Sequence, residues 1–182
     1  PDAGYTFDGW YSDAGYDHLL SNEETFEFVP AGPLRHIYPV FMPGEIQLDA
    51  LNTANCYIAP ELLRDYSFDA TVQGNGCATL NITPQRLSGA YARLVWETGT
   101  QANSVISSLG YDGSRIRFRT GTQQGNALIG LFNAGGECVW SWHIWVANYD
   151  PESSAQKYSS GDIFMDRNLG TVGTDYTKVT AC

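Results

Sequence analysis

The segment CVWSWHIWVANYDP, residues 138–151, constrains the fold of this chain more than any other feature of its sequence. It places three tryptophans and a histidine within six consecutive positions, Trp140 to Trp145. Successive side chains of a β-strand point to opposite faces. One face is then entirely apolar, with Trp140, Trp142, Ile144 and Val146, and the other is mixed, with Val139, Ser141, His143 and Trp145. Two largely apolar faces predict a central strand of a β-sandwich, shielded by its neighbours and by an opposing sheet.

Alternation also predicts a hairpin upstream of this segment. In residues 114–121 (SRIRFRTG), three arginines alternate with Ile116 and Phe118, so one face is polar and the other apolar. The preceding Asp112-Gly113 pair is a strong turn signal, typical of a type I′ turn. We therefore predict two strands joined at these two residues.

Two further stretches are predicted to form strands. Residues 91–97 (YARLVWE) predict a strand with Ala92, Leu94 and Trp96 on one face and Tyr91, Arg93, Val95 and Glu97 on the other. Residues 126–133 (NALIGLFN) predict a strand closed by the turn NAGGE. Helical periodicity is confined to short stretches such as residues 60–66 (PELLRDY). The sequence therefore predicts an all-β fold built on an antiparallel β-sandwich.

Turn-forming residues divide the chain into three predicted segments. Pro39, Pro43 and Gly44 interrupt the chain near residue 43, and a polar, Ser-rich stretch follows residue 150. The predicted segments are residues 1–43, 44–150 and 151–182. The last is too short to form a core of its own.

The formal net charge of −10, from 20 acidic and 10 basic residues, argues against two classes of partner. An acidic surface repels phosphate backbones and anionic lipid headgroups, so we expect neither nucleic acid nor a membrane surface to bind. No stretch approaches the roughly 18 consecutive apolar residues of a membrane-spanning helix. The first residues lack the basic and apolar regions of a signal peptide, so we expect mature or trimmed material without membrane insertion in this segment.

Four cysteines, Cys56, Cys77, Cys138 and Cys182, lie far apart with no CxxC pair. That spacing disfavours a zinc cluster and a thioredoxin-type motif. Dispersed cysteines of even number in a β-rich chain fit disulfides in an oxidising compartment, and the sequence does not rank the three pairings. Buried free thiols fit the spacing equally well.

Nothing in the sequence signals catalysis. There is no GxSxG motif, and the three histidines, His18, His36 and His143, lie in unrelated contexts. Because His143 sits inside a predicted strand, we interpret it first as a hydrogen-bonded structural residue. No DxDxDG loop supports a calcium site at Asp112, Asp150 or Asp162. We expect no enzyme activity, no catalytic residue, no metal site and no cofactor.

An aromatic platform is the one binding chemistry that the residues suggest. Sugars present flat C–H faces that stack on indole and phenol rings. Trp145, beside Ser141 and His143 on the mixed face, is the best candidate, with Tyr149 and Asp150 beyond the end of the strand. We therefore predict Trp145, His143, Tyr149 and Asp150 as ligand-binding residues. The alternative is that all three tryptophans of the segment are buried.

The N-terminal part resembles a known module. GYTFDGWYSDAGYDHLLSNEETFEFVPAGPLRHIYPVF, residues 4–41, resembles the later half of an internalin-type B-repeat, a small β-grasp-like module of bacterial surface proteins. The resemblance implies a partial repeat in which Trp10 anchors the first strand and residues 25–29 (TFEFV) form its paired strand.

The rest of the chain resembles fimbrillin-like bacterial cell-surface proteins. The landmarks are LNTANCYIAPELLRDYSFDATVQGNG, ARLVWET, GNALIGLFNAGGECVWSWHIWVANYDP and GDIFMDRNLG, in this order. In that family MDRNLG, residues 165–170, opens a C-type-lectin-like module. The resemblance thus implies either that the chain is a fragment or that its C-terminal segment docks on the sandwich. In the latter case we expect Asp166, Arg167 and Asn168 to fix that segment to the core.

The resemblance implies a protein secreted to the outside of the cell or to the outer-membrane surface, with its anchor outside this segment. We expect a non-enzymatic adhesin or pilus-associated component that binds a glycan, a host-surface protein or pilus subunits. A sandwich that lacks a strand offers an unpaired edge for strand exchange between pilus subunits. The alternative is a carbohydrate-binding accessory domain of a glycan-utilisation system. A hydrolase built from scattered acidic residues is a third hypothesis.

Overall fold

The computed structural model describes residues 5–29, 32, 36–74 and 84–173. It is almost entirely β, as the alternation predicts. The chain divides into two compact units, residues 1–46 and 47–182. The division after residue 46 lies close to the boundary predicted at residue 43, and the described residues of the predicted third segment belong to the second unit.

The first unit is a three-stranded antiparallel sheet. Its strands are β1 (Tyr5–Tyr11), β2 (Leu19–Ser21) and β3 (Tyr38–Pro43), in the order β2-β1-β3. Aromatic rings pack along β1: the centroid of Trp10 lies 5.5 Å from that of Phe7 and 5.9 Å from that of Phe26. Residues 25–29, predicted as the paired strand, form no strand, because β2 and β3 already occupy both edges of β1. Phe26 contributes its ring instead.

The second unit is a β-sandwich of two four-stranded sheets. The first sheet has the order β5-β11-β10-β7 and contains β5 (Cys56–Ala59), β7 (Tyr91–Glu97), β10 (Gly125–Phe132) and β11 (Cys138–Val146). The second sheet has the order β4-β6-β9-β8 and contains β4 (Ile46–Gln47), which begins at the last residue of the first unit, β6 (Asp65–Asp69), β8 (Ile106–Tyr111) and β9 (Arg115–Thr120). After the sandwich come the helix α1 (Pro151–Ser154) and the strands β12 (Gln156–Lys157) and β13 (Ile163–Phe164).

Large side chains from the two sheets meet in the core. Trp142 of β11 is fully buried, and its ring centroid lies 5.1 Å from that of Phe68 on β6. Phe68 in turn lies 6.3 Å from Phe118 on β9. Ile144 and Val146 continue the same buried face of β11. The prediction that this tryptophan-rich segment is a central strand is confirmed, since β11 lies between β5 and β10.

Three local predictions need correction. The first sheet is mixed, because β5 pairs parallel with β11, so the sandwich is not purely antiparallel. The predicted hairpin forms, but its loop has three residues and only Gly113, with φ of 97°, has a positive φ, whereas a type I′ turn needs a positive φ at both central residues. Residues 60–66 form no helix, because Tyr66 belongs to β6 and its hydroxyl accepts a hydrogen bond from the Glu61 backbone N–H at 2.9 Å.

No helix among the described residues is both long enough and apolar enough to cross a membrane.

Candidate functional site

Four side chains line up across the face of the first sheet that points away from the second sheet, here called the outer face. His143 on β11 pairs with Cys56 on β5 and with Leu128 on β10. Leu128 pairs in turn with Trp96 on β7. Residues paired on adjacent strands share a face and contact each other. These four residues, Cys56, His143, Leu128 and Trp96, form the cross-sheet row.

The imidazole of His143 connects two neighbouring side chains. Its Nδ1 lies 3.1 Å from the Sγ of Cys56, and its Nε2 lies 2.8 Å from the Oδ1 of Asn126 on β10. Asn126 is buried, and its Nδ2 donates a hydrogen bond of 2.8 Å to the carbonyl oxygen of Gly170. A chain of hydrogen bonds therefore runs from the C-terminal segment to the Cys56 thiol.

This chain of hydrogen bonds determines which nitrogen of His143 carries the proton. A carbonyl oxygen only accepts, so the Asn126 group that faces Gly170 is the amide nitrogen, and the oxygen faces His143. The Nε2 of His143 must therefore donate. In a neutral imidazole Nδ1 is then unprotonated and accepts a hydrogen bond from the S–H of Cys56. The fold thus presents a basic lone pair to a thiol.

Burial keeps both groups uncharged. Desolvation raises the pKa of the Cys56 thiol to about 11. Desolvation also lowers the pKa of His143 from its ordinary value. At neutral pH the pair is consequently a protonated thiol beside a neutral imidazole. A proton acceptor stands beside the thiol, but no preformed thiolate is present.

The depressed pKa of His143 predicts a pH-dependent stability. In the unfolded chain the imidazole takes up a proton near its ordinary pKa of 6.5, whereas the folded chain resists protonation. As the pH falls below about 7, the free energy of unfolding should therefore decrease, until the pH reaches the lowered pKa of the folded state. We expect His143→Gln to remove this part of the pH dependence, measured by urea unfolding from pH 5 to 8. His36→Gln, at an exposed histidine, is the control and should keep it. Equal pH dependence in the wild type and in His143→Gln would contradict this account.

Trp96 lies on the outer face because β7 contains a bulge. Leu128 pairs with Trp96, but the next residue of β10 pairs with Leu94, so Val95 is an extra residue. Val95 and Trp96 both become exposed, at 44% and 43%. The prediction that Trp96 shares a face with Ala92 and Leu94 is therefore wrong. The same shift lets the Glu97 carboxylate accept hydrogen bonds of 3.0–3.2 Å from three successive backbone N–H groups of residues 104–106.

The other predicted ligand-binding residues lie at one end of β11. Trp145 is fully buried, and its ring centroid lies 5.0 Å from that of Tyr149, which is also buried. This burial leaves no face of Trp145 open for stacking. Asp150 caps α1, since its carboxylate accepts a hydrogen bond from the Glu152 backbone N–H at 3.0 Å. Of the four predicted residues, His143 alone belongs to the cross-sheet row.

The C-terminal segment covers this end of β11. The guanidinium of Arg167 lies 4.1 Å from the centre of the Tyr149 ring and makes hydrogen bonds of 2.9 and 3.0 Å to Asp166. Burial and then the Asp166 carboxylate raise the pKa of Tyr149. Together with the bond from Asn126 to Gly170, these contacts hold the segment on the sheet. Asp166 and Arg167 thus lie where residues that fix this segment to the core are expected.

Sequence reasoning missed three of the residues that define the site. Cys56 lies 87 residues from His143, and Asn126 lies 17 residues from it. The hairpin of β10 and β11 brings Asn126 to His143, whereas Cys56 reaches it only through the parallel pairing of β5 with β11, which no local pattern encodes. Trp96 was missed because a bulge cannot be read from alternation alone.

Two of the four cysteines lie within the described residues. Cys56 and Cys138 are free thiols, whereas Cys77 and Cys182 lie outside the described residues. Within the described ranges, no three His, Cys, Asp or Glu side chains are grouped so that they could hold a metal ion.

Comparison of the chain with known protein families, with curated proteins and with solved structures finds no match. The resemblances to internalin-type repeats and fimbrillin-like proteins therefore stay predictions.

Proposed function

We propose that the chain is a non-enzymatic extracellular surface protein of the adhesin type, and that its second unit binds glycans around Trp96. The observation that carries the proposal is the exposure of Val95 and Trp96 side by side on a paired strand. An indole held open to solvent by the backbone offers the flat apolar face that a pyranose ring stacks on.

Two further side chains of β7 support a glycan as the ligand. On the same strand, Tyr91 stacks on Phe132 with centroids 5.5 Å apart, and the Arg93 guanidinium lies 4.3 Å from the centre of the Phe132 ring. Phe132 therefore orders a phenol and a guanidinium, both of which can hydrogen-bond to sugar hydroxyl groups. Side chains that are ordered before binding lose little conformational entropy when the ligand arrives.

A pilus subunit would use this unit differently: a strand from another subunit would pair along β7. β7 is an edge strand of the first sheet, which favours such pairing. However, the bulge at Val95 and the charged side chain of Arg93 are features that oppose edge pairing. We therefore place binding on the outer face and not on the edge.

Replacing Trp96 by alanine tests this proposal. We expect the wild type to bind selected oligosaccharides on a glycan array, and Trp96→Ala to bind them roughly tenfold more weakly, because the stacking contact is lost. Affinity electrophoresis through gels that contain a soluble polysaccharide gives a second measurement. Tyr158→Ala removes another exposed aromatic ring, on the loop between β12 and β13, and should leave binding unchanged.

Two results would contradict the proposal. One is the absence of wild-type binding to any glycan on the array, and the other is equal binding by Trp96→Ala and the wild type. The alternative role, a carbohydrate-binding accessory domain of a glycan-utilisation system, uses the same site. A preference for soluble polysaccharides over host-type oligosaccharides would favour that role.

A further inference from the structure

A second chemistry lies at the other end of the cross-sheet row, where Asn126 of β10 joins Cys56 of β5 and His143 of β11. Here a thiol, an imidazole and a carboxamide form a continuous hydrogen-bonded series. The atoms are Sγ of Cys56, Nδ1 and Nε2 of His143, and Oδ1 of Asn126, with separations of 3.1 and 2.8 Å. A nucleophile, a base and a group that orients the base are the parts from which activated thiols are built.

We propose that Cys56 is a covalent modification site at which His143 acts as general base for the attack of the thiol on a low-molecular-weight disulfide.

The thiol–disulfide exchange at Cys56 needs no reagent besides the disulfide. The Sγ of Cys56 attacks one sulfur of the disulfide, a new S–S bond forms, and the S–S bond of the reagent breaks. The proton of the Cys56 thiol passes to Nδ1 of His143 and from there to the leaving thiolate. Cys56 is thereby oxidised to a mixed disulfide, while one half of the reagent is reduced to a thiol.

The orientation of His143 is what makes it a base for this step. The Oδ1 of Asn126 accepts a hydrogen bond from the Nε2–H of His143. The unprotonated nitrogen is therefore Nδ1, the atom that faces the Sγ of Cys56. Asn126 is itself held by the Gly170 carbonyl. The imidazole therefore does not have to change tautomer or rotate before it accepts the thiol proton.

Burial and charge define the class of disulfide. Cys56 and His143 are both partly buried, so a small reagent is favoured over a protein disulfide. The net charge of −10 disfavours anionic reagents such as those with several carboxylates. The site should therefore prefer neutral or cationic disulfides.

The titratable and charged groups on the elements around Cys56 and His143 have other partners. Tyr57 on β5 is buried and its hydroxyl accepts a hydrogen bond from the Ala54 backbone N–H, and Glu97 on β7 binds the backbone of residues 104–106. On the C-terminal segment, Asp166 and Arg167 bind each other beside Tyr149. Burial is accordingly the cause of the lowered pKa of His143, so this imidazole is neutral at pH 7 and available as a base.

Cys138 provides an internal control on β11 itself. It is an exposed free thiol, and its Sγ donates to the Trp140 carbonyl at 3.3 Å. The contacts described for it include no imidazole. A thiol without a base reacts only as thiolate, so the rate of its modification rises with pH.

The test is the rate of modification of each cysteine by 2-hydroxyethyl disulfide between pH 5 and 9, resolved by mass spectrometry of peptides. We expect the rate at Cys56 to rise as His143 loses its proton and to level off by about pH 7, while the rate at Cys138 keeps rising. We expect His143→Gln to slow the modification of Cys56 at pH 7 by roughly 10²-fold, a usual size of general-base assistance. The rate of modification of Cys138 should be unchanged.

Two results would overturn the proposal. In one, Cys56 does not react while Cys138 does. In the other, the rate at Cys56 rises in parallel with that at Cys138 and is the same in His143→Gln. The pH profile of the wild-type chain decides the question even if His143→Gln fails to fold. The experiment measures the covalent mass added at Cys56. A negative result is therefore distinguishable from a negative result for glycan binding at Trp96.

Discussion

Trp142→Ala is expected to lower the free energy of unfolding of the second unit by about 3–5 kcal/mol, the cost of removing a large buried aromatic side chain. The indole is fully buried and fills the space between the two sheets against Phe68. Its loss leaves a cavity that paired strands on both sides cannot close. Urea unfolding followed by far-UV circular dichroism measures the change.

Trp96→Ala is the matched control for this experiment. It makes the same chemical change in the same sheet, but at a side chain that is 43% exposed. We expect a cost of about 1 kcal/mol or less, as for other surface positions. Similar losses of stability in the two variants would show that Trp142 is not part of the core, and would remove the basis for the sandwich.

Gly121→Ala should be the second strongly destabilising change, with a cost of about 3 kcal/mol, at the upper end for overpacking. A Cβ at Gly121 would collide with the backbone carbonyl group of Ser104. The Gly121 N–H also donates to the Val105 carbonyl at 2.7 Å, and its own carbonyl accepts from the Leu63 N–H at 3.2 Å. The backbone therefore cannot move aside without breaking hydrogen bonds on both sides.

Gly110→Ala serves as the control for Gly121→Ala. A Cβ at Gly110 on β8 would meet no atom within 4 Å. The substitution restricts the unfolded chain and should change stability by less than about 1 kcal/mol, in the stabilising direction. Thermal unfolding of the two variants makes the comparison, and a Gly121→Ala variant as stable as Gly110→Ala would refute the close approach.

Much of the sandwich could be predicted from the sequence because hydrophobic residues alternate along its strands. In β9 every second residue is buried, so period two identifies both the strand and its inner face. In β11 the inner face carries the buried Trp142, Ile144 and Val146, but Trp145 on the other face is buried as well. The prediction fails where another interaction breaks the period. In β7 the bulge at Val95 moves Trp96 outward and brings Glu97 to three backbone N–H groups, which the local pattern does not reveal.

The candidate site was less predictable than the fold for a physical reason. His143 could be identified as an unusual residue in an apolar strand, and its hydrogen-bonded role was the first interpretation. Its partners depend on which strands flank β11, and the parallel pairing with β5 leaves no mark on either strand. Trp145 was expected to offer a platform, but the position of residues 166–170 over this end of the sheet depends on tertiary contacts alone.

The parallel pairing of β5 with β11 also has a consequence for the order of events during synthesis. Cys56 and His143 are 87 residues apart, whereas β8 with β9 and β10 with β11 are joined by short loops. Closing a long loop costs more entropy than closing a hairpin, so the hairpins form first. As the chain leaves the ribosome, β5 therefore emerges well before its neighbour and stays unpaired until β11 follows. The thiol and the imidazole meet only when the sheet is completed, which makes their contact a marker of the finished fold.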